Sequence, residues 1–334
     1  DTSADRALNN AAVAYENVGR FSSAIAALER ADPEGFADAV LRAANGAASV
    51  LGGTADVVCR IFCAALSTRL GQTFTVDNKP GAAGTVAAQI VARAQPDGYT
   101  VLYDATAQSV NPSLFGSRLP YDTRRDLLPV FLTMQTPNTL MRNSKFEAQT
   151  VAELIELAKK KPGALDCAST GVGTVQHVSL ELLNQRAGLR INHVPYKEAG
   201  AARNDLFAGR VPLQFSNVPG TVALRSASEV TCMAHTGPKP VEVLKGVPAI
   251  SEVLPGFETW EWNGLFVPAG TDTGLIAKLN AELNEVIKVQ ETVQRLSELG
   301  ALTRANTVAE FTAFREQQIA FFAEITKTAN IRIE

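Results

Sequence analysis

The sequence predicts an α/β fold: a two-lobed clamshell of mostly parallel sheets covered by helices. Three observations predict it. The chain has 334 residues, too many for one ordinary core and suited to two lobes. From Gly52 onward, short β-rich runs alternate with longer amphipathic runs, the pattern of parallel strands with covering helices. No low-complexity linker separates the blocks, so the lobes are expected to share strands or crossings.

The first 35 residues are Ala-rich and read as a helical extension, with helices over 4–17 and 21–29 joined at Gly19. One helical pair resembles tetratricopeptide punctuation, but a stable array needs about three units. Apolar residues at Val57, Val58, Ile61, Phe62, Ala65 and Leu66 predict a helix over Thr54–Leu70, stopped by Gly71. A strand over 73–76 follows. The turn Pro80-Gly81-Ala82-Ala83-Gly84 opens a helix over 85–94, and Pro96-Asp97-Gly98 precedes a strand over 99–103. Further strands are predicted over 129–134, 139–142, 165–168, 191–194 and 211–215, with helices over 151–160, 174–187 and 198–208. A third block carries strands over 230–234 and 264–267, then helices over 274–288, 293–299 and 309–329. The predicted lobes are 36–107 with 230–334, and 108–229.

Hydrophobic residues are 46% and charged residues 19%, an ordinary globular balance. The net charge of −3 leaves no basic footprint for nucleic acid or an anionic membrane surface. The longest apolar run, Val57 to Leu66, is broken by Arg60 and falls short of the roughly 20 residues that span a bilayer. The chain opens Asp1-Thr2-Ser3 without a secretory leader, so it reads as a processed secreted protein or a cytosolic one. Cys59, Cys63, Cys167 and Cys232 are too scattered for a disulfide scaffold. Neither they nor His177, His193 and His235 show zinc-ligand spacing, so no metal and no cofactor is expected.

The most informative segment runs from Ala168 to His177. It follows a strand and opens a helix. Gly171 and Gly173 allow close backbone approach, Ser169, Thr170 and Thr174 supply hydroxyls, and the helix N-terminus carries partial positive charge. This reads as an anion cradle or as a helix cap with a glycine turn. It lacks the third glycine of a dinucleotide fingerprint and the Gly-Lys-Ser/Thr ending of a P-loop. Gly52-Gly53-Thr54-Ala55-Asp56 leads into another helix, where Asp56 caps or meets a ligand. Asp104 to Ser109, containing Thr106 and Ala107, follows a strand, where open α/β sheets bind ligands. There is no Gly-x-Ser-x-Gly elbow and no His-Glu-x-x-His. His177, one turn past Gly173, is either a donor at the cradle or an ordinary packed histidine. Trp260 and Trp262, flanking Glu261, read as core residues.

An ordered set of strings covers nearly everything from Gly52 onward. It comprises Gly52 to Asp56, Asp77 to Gly84, Pro96 to Thr100, Asn111 to Phe115, Leu119 to Asp122, Ala168 to His177, His193 to Lys197, Leu254 to Glu258, and Trp262 to Leu265 with Pro268 to Thr271. The set resembles the extracytoplasmic solute receptors of tripartite tricarboxylate transporters, the Bug-type receptors. The resemblance implies a periplasmic-binding-protein-like fold, a periplasmic location with the leader removed, and capture of a small carboxylate for membrane transporter subunits. It implies a monomer and no catalysis. The implied ligand-binding residues are Gly53, Thr54, Asp56, Thr106, Ala107, Ser169, Thr170, Gly171, Gly173, Thr174, His177 and Asn217. Two other readings compete: a sensor feeding a signalling partner, and an enzyme using His177 with a carboxylate. The sequence departs from the family over Val40 to Leu51, a poor strand without the usual proline and phenylalanine loop. It departs again at Ser216, where Asp is common, and at Glu198, where Gly is common.

Overall fold

The computed structural model describes residues 41–45, 54–79, 82–196, 199–224, 226–239 and 241–331. The predicted extension over 1–35, and Val40 and Gly46 to Leu51 of the divergent segment, lie outside the described residues. Within that segment Leu41–Asn45 does form a strand, β1, pairing in parallel with β2 (Phe74–Asn78) and β3 (Thr100–Ala105).

Helix α1 (Thr54–Leu70) lies between β1 and β2 and buries Ala55, Val58, Cys59, Ile61, Phe62, Cys63 and Leu66. Their three- and four-residue spacing forms one apolar stripe, ended at Gly71 with φ +64°. Helix α2 (Thr85–Ala92) precedes β3. Helix α3 (Ala107–Phe115) follows it, where the sequence predicts a loop over Asp104 to Ser109. Polar residues and Pro112 disguise this helix, yet Val110 and Leu114, four apart, are its buried anchors.

The strand β4 (Leu127–Asn143) organises the molecule. Two strands are predicted here, over 129–134 and 139–142; the structure has one of 17 residues. Its first part pairs antiparallel with β9 (Trp260–Pro268), from Leu127 opposite Pro268 to Pro137 opposite Trp260. Its second part pairs with β7 (Leu213–Asn217) on one side and β8 (Val230–His235) on the other. Pro137 marks the change of partner, where a missing amide costs no ladder bond. The first lobe's sheet is therefore β2-β1-β3-β9-β4, and the second is β8-β4-β7-β5-β6, with β5 (Leu165–Ser169) and β6 (Ile191–Pro195). The expected parallel pairing holds at β2-β1-β3 and β7-β5-β6, while β4 and β9 run antiparallel to their neighbours. The lobe boundary read at residue 230 moves, because β8 pairs with β4 beside β7 and so belongs to the second sheet.

Helices α4 (Val151–Lys160), α5 (Val175–Ala187), α6 (Ala199–Ala208) and α7 (Val218–Val222) accompany the second sheet. Helices α8 (Thr273–Val286), α9 (Gln290–Glu298) and α10 (Val308–Thr328) complete the chain. Both faces of the first sheet are covered. Val101 and Tyr103 join α1 and α8 residues in one core, while Leu102 joins Val91, Trp262, Phe266 and Phe311 in another. That alternation is the strand period of two. The Trp262 ring meets Phe311 edge-on at 5.8 Å and Phe314 at 5.6 Å. Burying each such ring contributes roughly 1.5–3 kcal/mol.

Candidate functional site

A cleft of about 460 Å³ opens between the two lobes. Its first wall carries Thr54 and Ala55 at the start of α1, then Thr106 and Ala107 at the start of α3. Its second wall carries Thr170 and Gly173 to Gln176 at the start of α5, with Asn217 at the end of β7. Three helix N-termini thus converge on one space. Each presents first-turn amides that have no acceptor within their own helix, together with a partial positive charge. Such an arrangement binds an anion. The charged side chains lining the cleft are Arg203, exposed on α6, and Glu261, on β9.

The loop between β5 and α5 is built by its glycines and hydroxyls. Thr174 caps α5, its Oγ1 accepting from the His177 amide at 3.4 Å and donating to the Gly171 carbonyl at 2.8 Å. Gly173 sits at φ +77°, and an added Cβ would lie 2.3 Å from Cδ1 of Leu114. Only glycine meets both conditions without adjustment.

Some predicted site residues serve the loop and do not line the cleft. Ser169 is buried; its hydroxyl accepts from the Gly171 amide at 3.1 Å and lies 2.6 Å from Nε2 of His193. Gly171, with φ +132°, is held by that bond. His177 stacks on His193 with ring centroids 3.7 Å apart. Burial, reinforced by His177, pushes the His193 imidazole down to about 3, so this ring is neutral at working pH. Asp56 is buried behind the α1 terminus, bonded to Arg60 and to Asn78 at 3.0 Å. Gly53 lies outside the described residues. Thr54, Thr106, Ala107, Thr170, Gly173, Thr174 and Asn217 do line the cleft. Besides Thr174 and Thr170, two more of these have side-chain hydrogen bonds within the protein. Thr106 Oγ1 accepts from the Trp262 amide at 3.0 Å, and the Asn217 side-chain oxygen accepts from the Gly220 amide at 2.9 Å.

Sequence reasoning missed Glu261 and Gln176. Gln176 donates to the Asn138 side-chain oxygen at 2.9 Å and accepts from Thr170 Oγ1 at 3.3 Å. Burial raises the Glu261 carboxyl to about 7, and Gln176 counteracts this in part. The legible signal was an acid set between two tryptophans, Trp260 and Trp262.

The family described as tripartite tricarboxylate transporter family receptor matches residues 58–331. The UPF0065 protein in the tcbD-tcbE intergenic region of Pseudomonas sp. (strain P51) is 35% identical over 254 residues, 75% of each chain. An R. palustris protein solved with adipate superposes with a TM-score of 0.78 at 31% identity, covering 89% of this chain and 99% of that one. The periplasmic binding protein BugD gives a TM-score of 0.75 at 29% identity, covering 89% and 99%.

Proposed function

The chain belongs to the tripartite tricarboxylate transporter receptor family, a family of binding receptors and not of enzymes, and we propose that it captures a small carboxylate in the periplasm for membrane transporter subunits. The observation that carries this reading is the convergence of the α1, α3 and α5 N-termini on one cleft between two sheets. First-turn amides hold a carboxylate without a cation, and bridging waters complete such contacts at little energetic cost. The adipate bound by the R. palustris relative supports the ligand class, and the periplasmic setting of BugD supports the compartment. Thr54, Thr170, Gly173 and Thr174 form the carboxylate cradle in this reading, with Thr106, Ala107 and Asn217 shaping its walls. Closure of the lobes is stabilised only by contacts that the closed state makes.

A thermal-shift screen of the purified chain against mono-, di- and tricarboxylates and acidic amino acids tests it. Ligand at a hundred times its dissociation constant adds roughly 2.7 kcal/mol of stability. A carboxylate that raises Tm and is recovered unchanged supports the receptor; no shift from any acid, or a converted compound, removes it.

A further inference from the structure

Of the acids in the first lobe's sheet, Asp77, Asp104 and Glu261, only Glu261 lines the cleft. Asp104, wholly buried at the end of β3, is bonded by the Gln108 side chain at 2.5 Å and the Ala105 amide at 2.8 Å. Glu261 lines the cleft. Its Oε2 is shielded from solvent and has no hydrogen-bond partner among the described residues.

The placement of Glu261 comes from strand register. It stands opposite Thr136 in the β4–β9 ladder, immediately before Pro137, where β4 passes from one sheet to the other. Its carboxylate therefore belongs to the floor of the cleft, at the seam between the lobes. Gln176, in the first turn of α5, stands between this floor and the cradle. Through Nε2 it grips Asn138 on β4, through Oε1 it receives the Thr170 hydroxyl, and its side chain also bonds the Glu261 carboxylate, leaving Oε2 as the unpartnered oxygen. One glutamine side chain thus separates the carboxylate-binding loop from the acid.

A buried carboxylate with a purely structural role is paired, because an unpaired buried charge costs too much to keep. Among the described residues lining the cleft, the one cation is Arg203, exposed on α6 in the opposite lobe. The unpaired Oε2 therefore awaits a donor that enters with the ligand. An ammonium fits: it brings positive charge and three hydrogens for the acceptor. A second carboxylate fits less well, since it would face like charge unless Glu261 takes up a proton.

We propose that Glu261 is the specificity-determining residue of the cleft and receives the primary ammonium of the ligand, which is an amino acid and not a plain di- or tricarboxylate. This assignment rests on the carboxylate-receptor reading above. It carries a proton signature. With its carboxyl raised to about 7 by burial, Glu261 is partly protonated at neutral pH in the empty cleft. An arriving ammonium ionises it and releases proton; an arriving carboxylate draws proton in. Arg203 is the other charged side chain lining the cleft among the described residues.

The test uses calorimetric titration of the full chain and of Glu261→Gln with matched pairs: aspartate with succinate, glutamate with glutarate, and phenylalanine with 3-phenylpropionate. Titration in buffers of different ionisation enthalpy counts protons. The expected result is an amino member bound about tenfold or more tighter than its deaminated twin, with proton release at pH 7. In Glu261→Gln that preference should shrink to about threefold or less, while the plain acid binds as well or better. Preference for the plain acid, proton uptake, or a ratio unchanged by Glu261→Gln overturns the assignment and leaves the receptor standing. Binding of no acid at all overturns the receptor reading and the assignment with it. Should Glu261→Gln not fold, the wild-type preference and proton count decide alone.

Discussion

The Gly173 amide donates to Nδ1 of His177 at 3.1 Å, so in the neutral ring the remaining proton sits on Nε2, 3.6 Å from Glu181. The bond ties the loop's tightest turn to the helix it opens. It also occupies one of the two imidazole nitrogens, and His177 does not line the cleft.

Substituting Gly173 should damage this loop first. Gly173→Val adds a Cβ at φ +77°, 2.3 Å from Leu114 Cδ1. Expected outcomes are a stability loss of about 1–3 kcal/mol and no ligand-dependent rise in Tm. Thr174→Val keeps shape but loses the α5 cap, costing about 1 kcal/mol and weakening carboxylate binding. Denaturant unfolding and calorimetry read both. Wild-type ligand affinity in both variants would remove the cradle assignment.

His193 should stay uncharged in an NMR pH titration from pH 8 down to about 4. Burial lowers its pKa to about 3, below the unfolded-state value, so the ring disfavours folding progressively as pH falls below about 6.5. A ring titrating near pH 6.5 would contradict the packed pair with His177.

Asp104 makes the opposite contribution. Its carboxyl is raised by burial from 3.8 to about 7, so the folded state holds a proton that the unfolded chain has lost. The associated stability is present at pH 3.8 and below, and disappears as pH rises toward 7. The slope is on the order of 1 kcal/mol per pH unit. Asp104→Asn should flatten this dependence in thermal unfolding between about pH 4 and 7. An unchanged slope would locate the effect elsewhere.

Gly264 should tolerate no side chain. A Cβ there would come within 2.2 Å of Phe311 Cζ and 3.2 Å of the Phe131 carbonyl, in the core that also holds Trp262. Gly264→Ala should cost about 1–3 kcal/mol in denaturant unfolding. A variant as stable as wild type would mean that α10 can move off the sheet.

Much of this architecture was readable because turn and cap chemistry punctuates it. Gly71 and Thr174 bound their helices through backbone freedom or a side-chain cap. The unity of β4 was not readable, since Pro137 and Asn138 interrupt the local pattern while the continuity comes from partners far along the chain. Helix α3 was hidden by Pro112 within it. At the site, glycines and hydroxyls identified the α5 cradle, but not that Ser169 and His177 would be occupied inside it. Glu261 escaped because a strand with tryptophans on either side reads as core, and only its register against Thr136 aims it at the cleft.

The continuity of β4 also has a consequence for biosynthesis. When β3 and β4 leave the ribosome, the strand that joins them, β9, has yet to be made: Leu102 waits for Phe266, and Leu127 for Pro268. Neither sheet can close over a nascent chain that stops short of residue 230, and the first stays open until 260–268 emerge. Non-local pairing of this kind folds slowly and leaves strand edges open to misassociation. C-terminal truncations ending before Trp260 should therefore accumulate as aggregates and not as a folded half-molecule, and limited proteolysis should yield no stable single lobe.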